Sequence, residues 1–367
     1  MLHFIFKLGV IGASLLAWDL LAAETLTCRS PRNLQVIQRG PHDTADVEIL
    51  GQVTGQPDAI AVRAEPAADV VRGRAEDWTV VVQGDTIAAG DFHGKLTLAA
   101  GGWYTLHIRA LSGTKVLAEE KIEKVGVGDV FITAGQSNSA NFGSQRMTAK
   151  DDRVVYFNGT NFVPANDPIP GGFGGGGSPW PIAGDLIAKA TGMPVCFRSA
   201  TLDYSPVKEW LKGAGQRKQP YYETLLERTR WFGPRGARAV LWHQGESDSL
   251  ARTSAADYCQ QLGAVVEALN ADLGYKLDWF VAGAAFHSGC QKPQWDQVAE
   301  GQQLIWQRKI AFRGAFTDDL VGPAYRANDQ VHFNASGLKE HGQRWFEALA
   351  AHYKWTATDT KSSQQSP

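Results

Sequence analysis

Between residues 24 and 125 apolar and polar positions alternate in short runs. Tyr104-Thr105-Leu106-His107-Ile108-Arg109-Ala110 is the clearest, with every second side chain apolar, as a half-buried strand requires. Leu34–Gln38, Val47–Val53, Ala59–Ala64, Trp78–Gln83, Lys95–Ala99, Trp103–Ala110 and Lys115–Lys124 read as strands, with turn pairs such as Gly101-Gly102 and Ser112-Gly113 near their ends. Seven short strands with no helical period predict a β-sandwich of immunoglobulin-like type over residues 24–125.

The rhythm changes after Gly128. Short apolar runs at Val130–Thr133, Val195–Ser199, Ala237–Trp242 and Leu277–Ala285 predict strands. Amphipathic segments at Pro181–Thr191, Pro220–Trp231, Ser254–Asp272, Trp295–Lys309 and Ser336–Tyr353 predict helices. Alternating strands and helices predict a parallel sheet covered on both faces, with any site at the carboxyl ends of its strands. This α/β domain is expected over 126–355, followed by a disordered polar tail over 356–367.

The N-terminus has the makings of a signal peptide over residues 1–23. Lys7 supplies a basic start, Leu8–Leu21 is apolar with Asp19 as its one charge, and Ala22 and Ala23 offer a cleavage site. A secreted or periplasmic protein follows, with no membrane insertion after cleavage; an uncleaved anchor is the alternative. The net charge of −2 over 367 residues, with 44% hydrophobic and 20% charged residues, fits a soluble globular protein. It offers no basic stripe for nucleic acid. Twelve Trp residues suit either cores or the stacking of sugar rings. Four cysteines show no CxxC and no Cys/His spacing for zinc, so neither metal nor cofactor is expected. In an exported chain Cys259 and Cys290 are the pair expected to bond, since a helix start and the next strand's end share one side of an α/β sheet.

Three blocks carry candidate chemistry. In Gly135-Gln136-Ser137-Asn138 a strand runs into a turn that presents Ser137, a nucleophile only if a base adjoins it. In Trp242-His243-Gln244-Gly245-Glu246-Ser247-Asp248 polar residues crowd a strand end, and the Gln244 amide is the candidate donor to an oxyanion. In Asp329-Gln330-Val331-His332 the spacing lets Asp329 hold one imidazole nitrogen of His332 while the other faces a serine. The Gly171–Gly177 segment is not a phosphate loop, because no Gly-Lys-Ser/Thr follows it; it is either a surface loop or a lid.

Together and in this order the blocks resemble the SGNH-hydrolase superfamily, in its sialate O-acetylesterase-like carbohydrate esterase branch, over Val127 to Trp345. The resemblance implies a three-layer flavodoxin-like α/β fold, a Ser137–His332–Asp329 triad, and an oxyanion hole built from Ser137, Gln244 and a glycine amide. The glycine is missing. Before Trp210 the chain reads Asp203-Tyr204-Ser205-Pro206, so Tyr204 would have to serve, at a cost if its φ is positive.

The substrate expected is an acetylated carbohydrate. No long apolar insertion separates the blocks, and Asn138, Glu246, Trp180 and Trp210 are candidates to bind a sugar by hydrogen bonds and stacking. Two other readings stay open: a glycan-binding protein with a decayed pocket, and an acetyltransferase on the same scaffold.

Overall fold

The computed structural model describes residues 24–68, 72–87, 90–214 and 220–355. The expected signal peptide and C-terminal tail lie outside the described residues. The chain opens with β1 (Leu26–Ser30), β2 (Gln35–Gln38), β3 (Thr44–Val53), β4 (Ala59–Pro66), β5 (Glu76–Gln83), β6 (Asp91–Ala99) and β7 (Gly101–Ser112). β1, β3 and β6 form one antiparallel sheet. β4 pairs with β5 and β7, and β7 pairs with β8 (Lys115–Gly135), which also takes β2 in parallel. Alternate residues Val47, Ile49, Leu96 and Leu98 from the first sheet meet Ile60, Val62, Leu106 and Ile108 from the second in one apolar core. Each such fully buried side chain contributes about 1.5–3 kcal/mol.

β8 is the hinge of the architecture. The sequence reads as two strands with a break at Gly126 and Gly128, and the boundary expected at 125/126 falls there. The structure instead runs unbroken from Lys115 to Gly135. Gly128 is small because the chain before β11 crosses it: a Cβ there would meet Pro194 O at 2.0 Å. A glycine that permits close approach looks, in sequence, like one that ends a strand.

The second half of β8 lies inside a sheet of order β10-β9-β11-β8-β12-β13-β14, parallel apart from the β10–β9 pair. Its other strands are β9 (Val154–Phe157), β10 (Phe162–Pro164), β11 (Val195–Ser199), β12 (Ala239–His243), β13 (Asp278–Gly283) and β14 (Phe312–Phe316). The helices are α1 (Trp180–Thr191), α2 (Tyr221–Arg230), α3 (Glu246–Ala251), α4 (Ala255–Leu273), α5 (Lys292–Gln307) and α6 (Ala335–Tyr353). α2, α4 and α5 pack on the face bearing Val130, Ile132 and Val240. α1 and α6 pack on the face bearing Phe131, Leu241 and Phe280. This three-layer α/β arrangement is the one expected. The chain moves to β11 on one side of β8 and then to β12 on the other, so the sheet's switch point lies at the carboxyl ends of β8 and β12.

Sequence reading missed β1, β9, β10, β14 and α3, all short. The expected Cys259–Cys290 bond is not formed. Cys259 turns into the core under α4, Cys290 sits in the loop before α5, and all four thiols are free. Among the described residues no helix is long and apolar enough to cross a membrane.

Candidate active site

β8 ends in Gly135 at φ 110°, where any Cβ would strike His243 O at 2.1 Å. The chain therefore turns sharply against the end of β12, and the Gln136 N–H donates to His243 O at 3.0 Å. Ser137 opens a single 3-10 turn, Ser137–Ser139, closed by Ser139 N–H to Gln136 O and Ala140 N–H to Ser137 O at 2.9 Å each. The Gln136 side-chain oxygen accepts from Ser247 N–H at 3.1 Å and from Gln244 Nε2 at 3.3 Å. The nucleophile turn is thus tied to the second block on both sides.

His332 sits in a small loop that leaves and rejoins the chain at an antiparallel bridge between Arg326 and Phe333. Ala327 N–H donates to His332 O at 2.8 Å and Gln330, at φ 58°, makes the turn. Asp329 caps the loop from within. One of its oxygens accepts the Val331 and His332 N–H groups, at 2.9 Å each, and the other lies 2.7 Å from His332 Nδ1. Partial burial works to raise the Asp329 pKa, but the hydrogen bonds from His332 and Val331 outweigh it and hold the carboxyl below its ordinary range. Phe142 stacks on the His332 ring at 5.0 Å between centroids.

Asn138 brings the two loops together. Its amide nitrogen donates to Glu246 at 2.8 Å and to Val331 O at 3.3 Å, one residue before His332. Ser144 N–H donates to Phe333 O at 2.9 Å on the far side. The Ser137 turn at the sheet's switch point and the loop carrying Asp329 and His332 are thus hydrogen-bonded to each other through Asn138. Among the described residues no direct hydrogen bond joins Ser137 to His332, and such bonds often tighten only when substrate is present.

Several predicted site residues turn out to hold the structure instead. Gln244 is wholly buried, and its amide nitrogen is spent on Asp248 at 2.6 Å and Gln136 at 3.3 Å, so it presents no donor to an oxyanion. Asp248 in turn accepts from Val207 N–H and Thr253 Oγ1 at 2.7 Å each. Trp180 is buried between Phe197 and Trp345 and donates to Ser139 O at 2.8 Å. Trp210 is buried against Tyr221 and Trp242. Neither indole has a face for a sugar. Asn138 and Glu246 are also buried, 3% and 1% exposed, and bind each other rather than solvent. Tyr204 is exposed and does adopt the left-handed backbone, φ 46°, with its N–H on Asp203 at 2.9 Å.

The Gly171–Gly177 segment is pinned. Asn141 bonds Ile169 and Gly172 through its side chain, Gly143 and Gly177 exchange backbone bonds at 2.9 Å, and Arg228 joins Gly171 O to Ser199 O at 2.9 and 2.6 Å. It forms a fixed wall beside the nucleophile turn.

Behind the turn lies a buried ionisable cluster, of which the sequence reading singled out Glu246 but not His341, Asp318 or Arg326. Burial lifts the Glu246 pKa to about 7, against the Asn138 hydrogen bond. Burial pushes His243 down to about 3 and His341 well below its ordinary value, so both rings are neutral. Arg326, itself lowered to about 10 by burial, faces Glu246 and Asp318. Among the described residues no group of three His, Cys, Asp or Glu side chains gathers as metal ligands.

Residues 127–351 match the family model described as carbohydrate esterase, sialic acid-specific acetylesterase. A solved carbohydrate acetylesterase from Xanthomonas citri is 21% identical with a TM-score of 0.57, over 87% of this chain and 73% of that one. A protein from Arabidopsis thaliana is 20% identical with a TM-score of 0.48, over 62% of this chain and 98% of its own. The protein NanS is 18% identical with a TM-score of 0.45, over 62% and 97%. Comparison with curated proteins finds no significant match.

Proposed function

The chain belongs to the sialic acid-specific acetylesterase family of carbohydrate esterases, and we propose that it is an exported enzyme using Ser137, His332 and Asp329 to remove acetyl groups from sugar hydroxyls. Family membership makes it a carboxylic ester hydrolase. The observation that carries the residue assignment is the Asp329–His332 contact of 2.7 Å in a loop hydrogen-bonded to the residue after Ser137.

His332 takes the Ser137 proton on the nitrogen that Asp329 does not bind, and Ser137 Oγ attacks the acetyl carbonyl. Asp329 fixes the tautomer and stabilises the imidazolium. The tetrahedral intermediate expels the sugar hydroxyl, protonated by His332, and leaves an acetyl-serine. Water, deprotonated by His332, then releases acetate. The Ser137 N–H, which the turn does not use, is the first oxyanion donor. Tyr204 supplies the left-handed backbone that a glycine would otherwise give, and its N–H becomes the second donor on exchanging Asp203 for the oxyanion. The open cavity beside the His332 loop, lined in part by Ser144, Asp329, Gln330 and Asn334, is the candidate place for the sugar. O-acetylated sialic acid is the first substrate to test, because the family is defined by it. Acetate should be released by the purified chain and not by Ser137→Ala. Acetate release by neither, from sialic acid or from acetylated hemicellulose, would remove the reading.

A further inference from the structure

Arg326 lies outside the three blocks, yet its side chain donates three hydrogen bonds to backbone carbonyls. It is 4% exposed. Its Nε donates to Leu320 O at 2.5 Å and Nη2 to Thr317 O at 3.2 Å, both in the segment that follows β14. Its Nη1 donates to Val331 O at 2.6 Å. The guanidinium lies 3.9 Å over the Phe333 ring and 5.3 Å from that of Phe286. The Val331 carbonyl therefore has two donors, Arg326 from one side and Asn138 from the other.

We propose that Arg326 is a positioning residue which, with Asn138, sets the His332 loop against the nucleophile turn by gripping the Val331 carbonyl. This rests on the reading of Ser137 and His332 as the reacting pair. The Val331–His332 peptide carries the His332 Cα, so fixing its carbonyl fixes where the imidazole starts. Apart from this grip, the loop is held by Ala327 N–H on His332 O, by Ser144 N–H on Phe333 O, by Ser288 Oγ on Asp329 O, and inside by Asp329, itself part of the loop. Arg326 roots it in the segment that follows β14, and rigid support of this kind is what holds a reacting pair to within fractions of an ångström. A lysine keeps the charge beside Glu246 and Asp318 but not the planar fork that reaches three carbonyls.

The test uses the purified full chain with p-nitrophenyl acetate, and a fluorophosphonate to count reactive serines. Arg326→Met should lower kcat per labelled site about 100-fold with KM changed less than about threefold, the loss expected from a misplacement near 1 Å. Labelling should slow by the same factor. Arg326→Lys should recover part of it. A merely structural arginine would reduce the number of labelled sites and leave kcat per site unchanged. Asn138→Ala, which removes the opposite grip together with the amide that donates to Glu246, should lower kcat per site about tenfold and covers the case in which Arg326→Met does not fold. Wild-type kcat per site in both Arg326→Lys and Asn138→Ala would overturn the proposal. A wild type that neither hydrolyses the ester nor takes the label would overturn the functional reading and this proposal with it.

Discussion

The two halves of the site are built differently. The Ser137 turn is made by the sheet: it follows β8, is braced on β12 through His243 O, and lies in a buried environment with Ser137 5% exposed. The His332 loop is made by itself. Asp329, whose side chain is 51% exposed, caps its own loop's N–H groups, and Asn138, Ser144, Ser288 and Arg326 tie that loop to the rest by hydrogen bonds, with Phe142 stacked on the His332 ring. In the proposed roles, a nucleophile set by long-range packing and a base set by local capping should fail in different ways when mutated. Loss of the serine removes chemistry alone, whereas changes in the loop alter where the base stands.

Ser137→Ala should show the largest effect, a fall in kcat of about 10⁴-fold or more with an unchanged melting temperature, since only a hydroxyl is lost. Retained turnover in the purified variant would move the nucleophile elsewhere. Asp329→Asn should follow, with kcat down by up to about 10⁴-fold because the imidazole is held in the wrong tautomer. Here the exposed loop also loses a charged cap, so a small drop in melting temperature should accompany it. Near-normal kcat would shift the carboxylate role away from Asp329.

The buried side of the comparison has its own signature. Burial holds the Glu246 pKa at about 7, above the ordinary carboxylate value of 4.5. Between those limits the folded protein keeps a proton that the unfolded chain has lost, so this group's contribution to stability falls as pH rises across the window and is level above it. Glu246→Gln removes that slope. Thermal melts should place the variant near the wild type at pH 5 and above it at pH 8; parallel curves would show that Glu246 does not titrate there. The smallest effect concerns the acyl group. The fixed wall at Gly171–Gly177 and the lack of a long apolar insertion between the three sequence blocks predict kcat/KM falling from acetyl to butyryl to octanoyl p-nitrophenyl esters. A rise with chain length would point to a lipid or general esterase.

The same division explains what could be read from the sequence. Strand alternation and helical period report which face of an element is buried, so the α/β layers were legible. Local motifs were legible too: Asp-x-x-His encodes a loop that closes on itself, and that contact is present at 2.7 Å. Long-range packing leaves no such mark. Trp180 and Trp210 look the same in sequence whether they face a sugar or a core, and both face the core. Gln244 looks like a donor until Asp248, four residues on, is seen to take its amide. Gly126 and Gly128 look like a strand end until Pro194 is placed across them. Arg326 stands three residues before Asp329 with no periodic signal, and its role depends on three carbonyls, two in the segment after β14 and one in the His332 loop.

The central claim is that Ser137 reacts because the His332 loop is held against its turn. Mass mapping of the fluorophosphonate adduct tests it most directly, in the wild type and in His332→Ala. The account predicts a single adduct on the peptide containing Ser137 in the wild type and none in His332→Ala over the same time. An adduct on another serine, or equal labelling of Ser137 without His332, would contradict it.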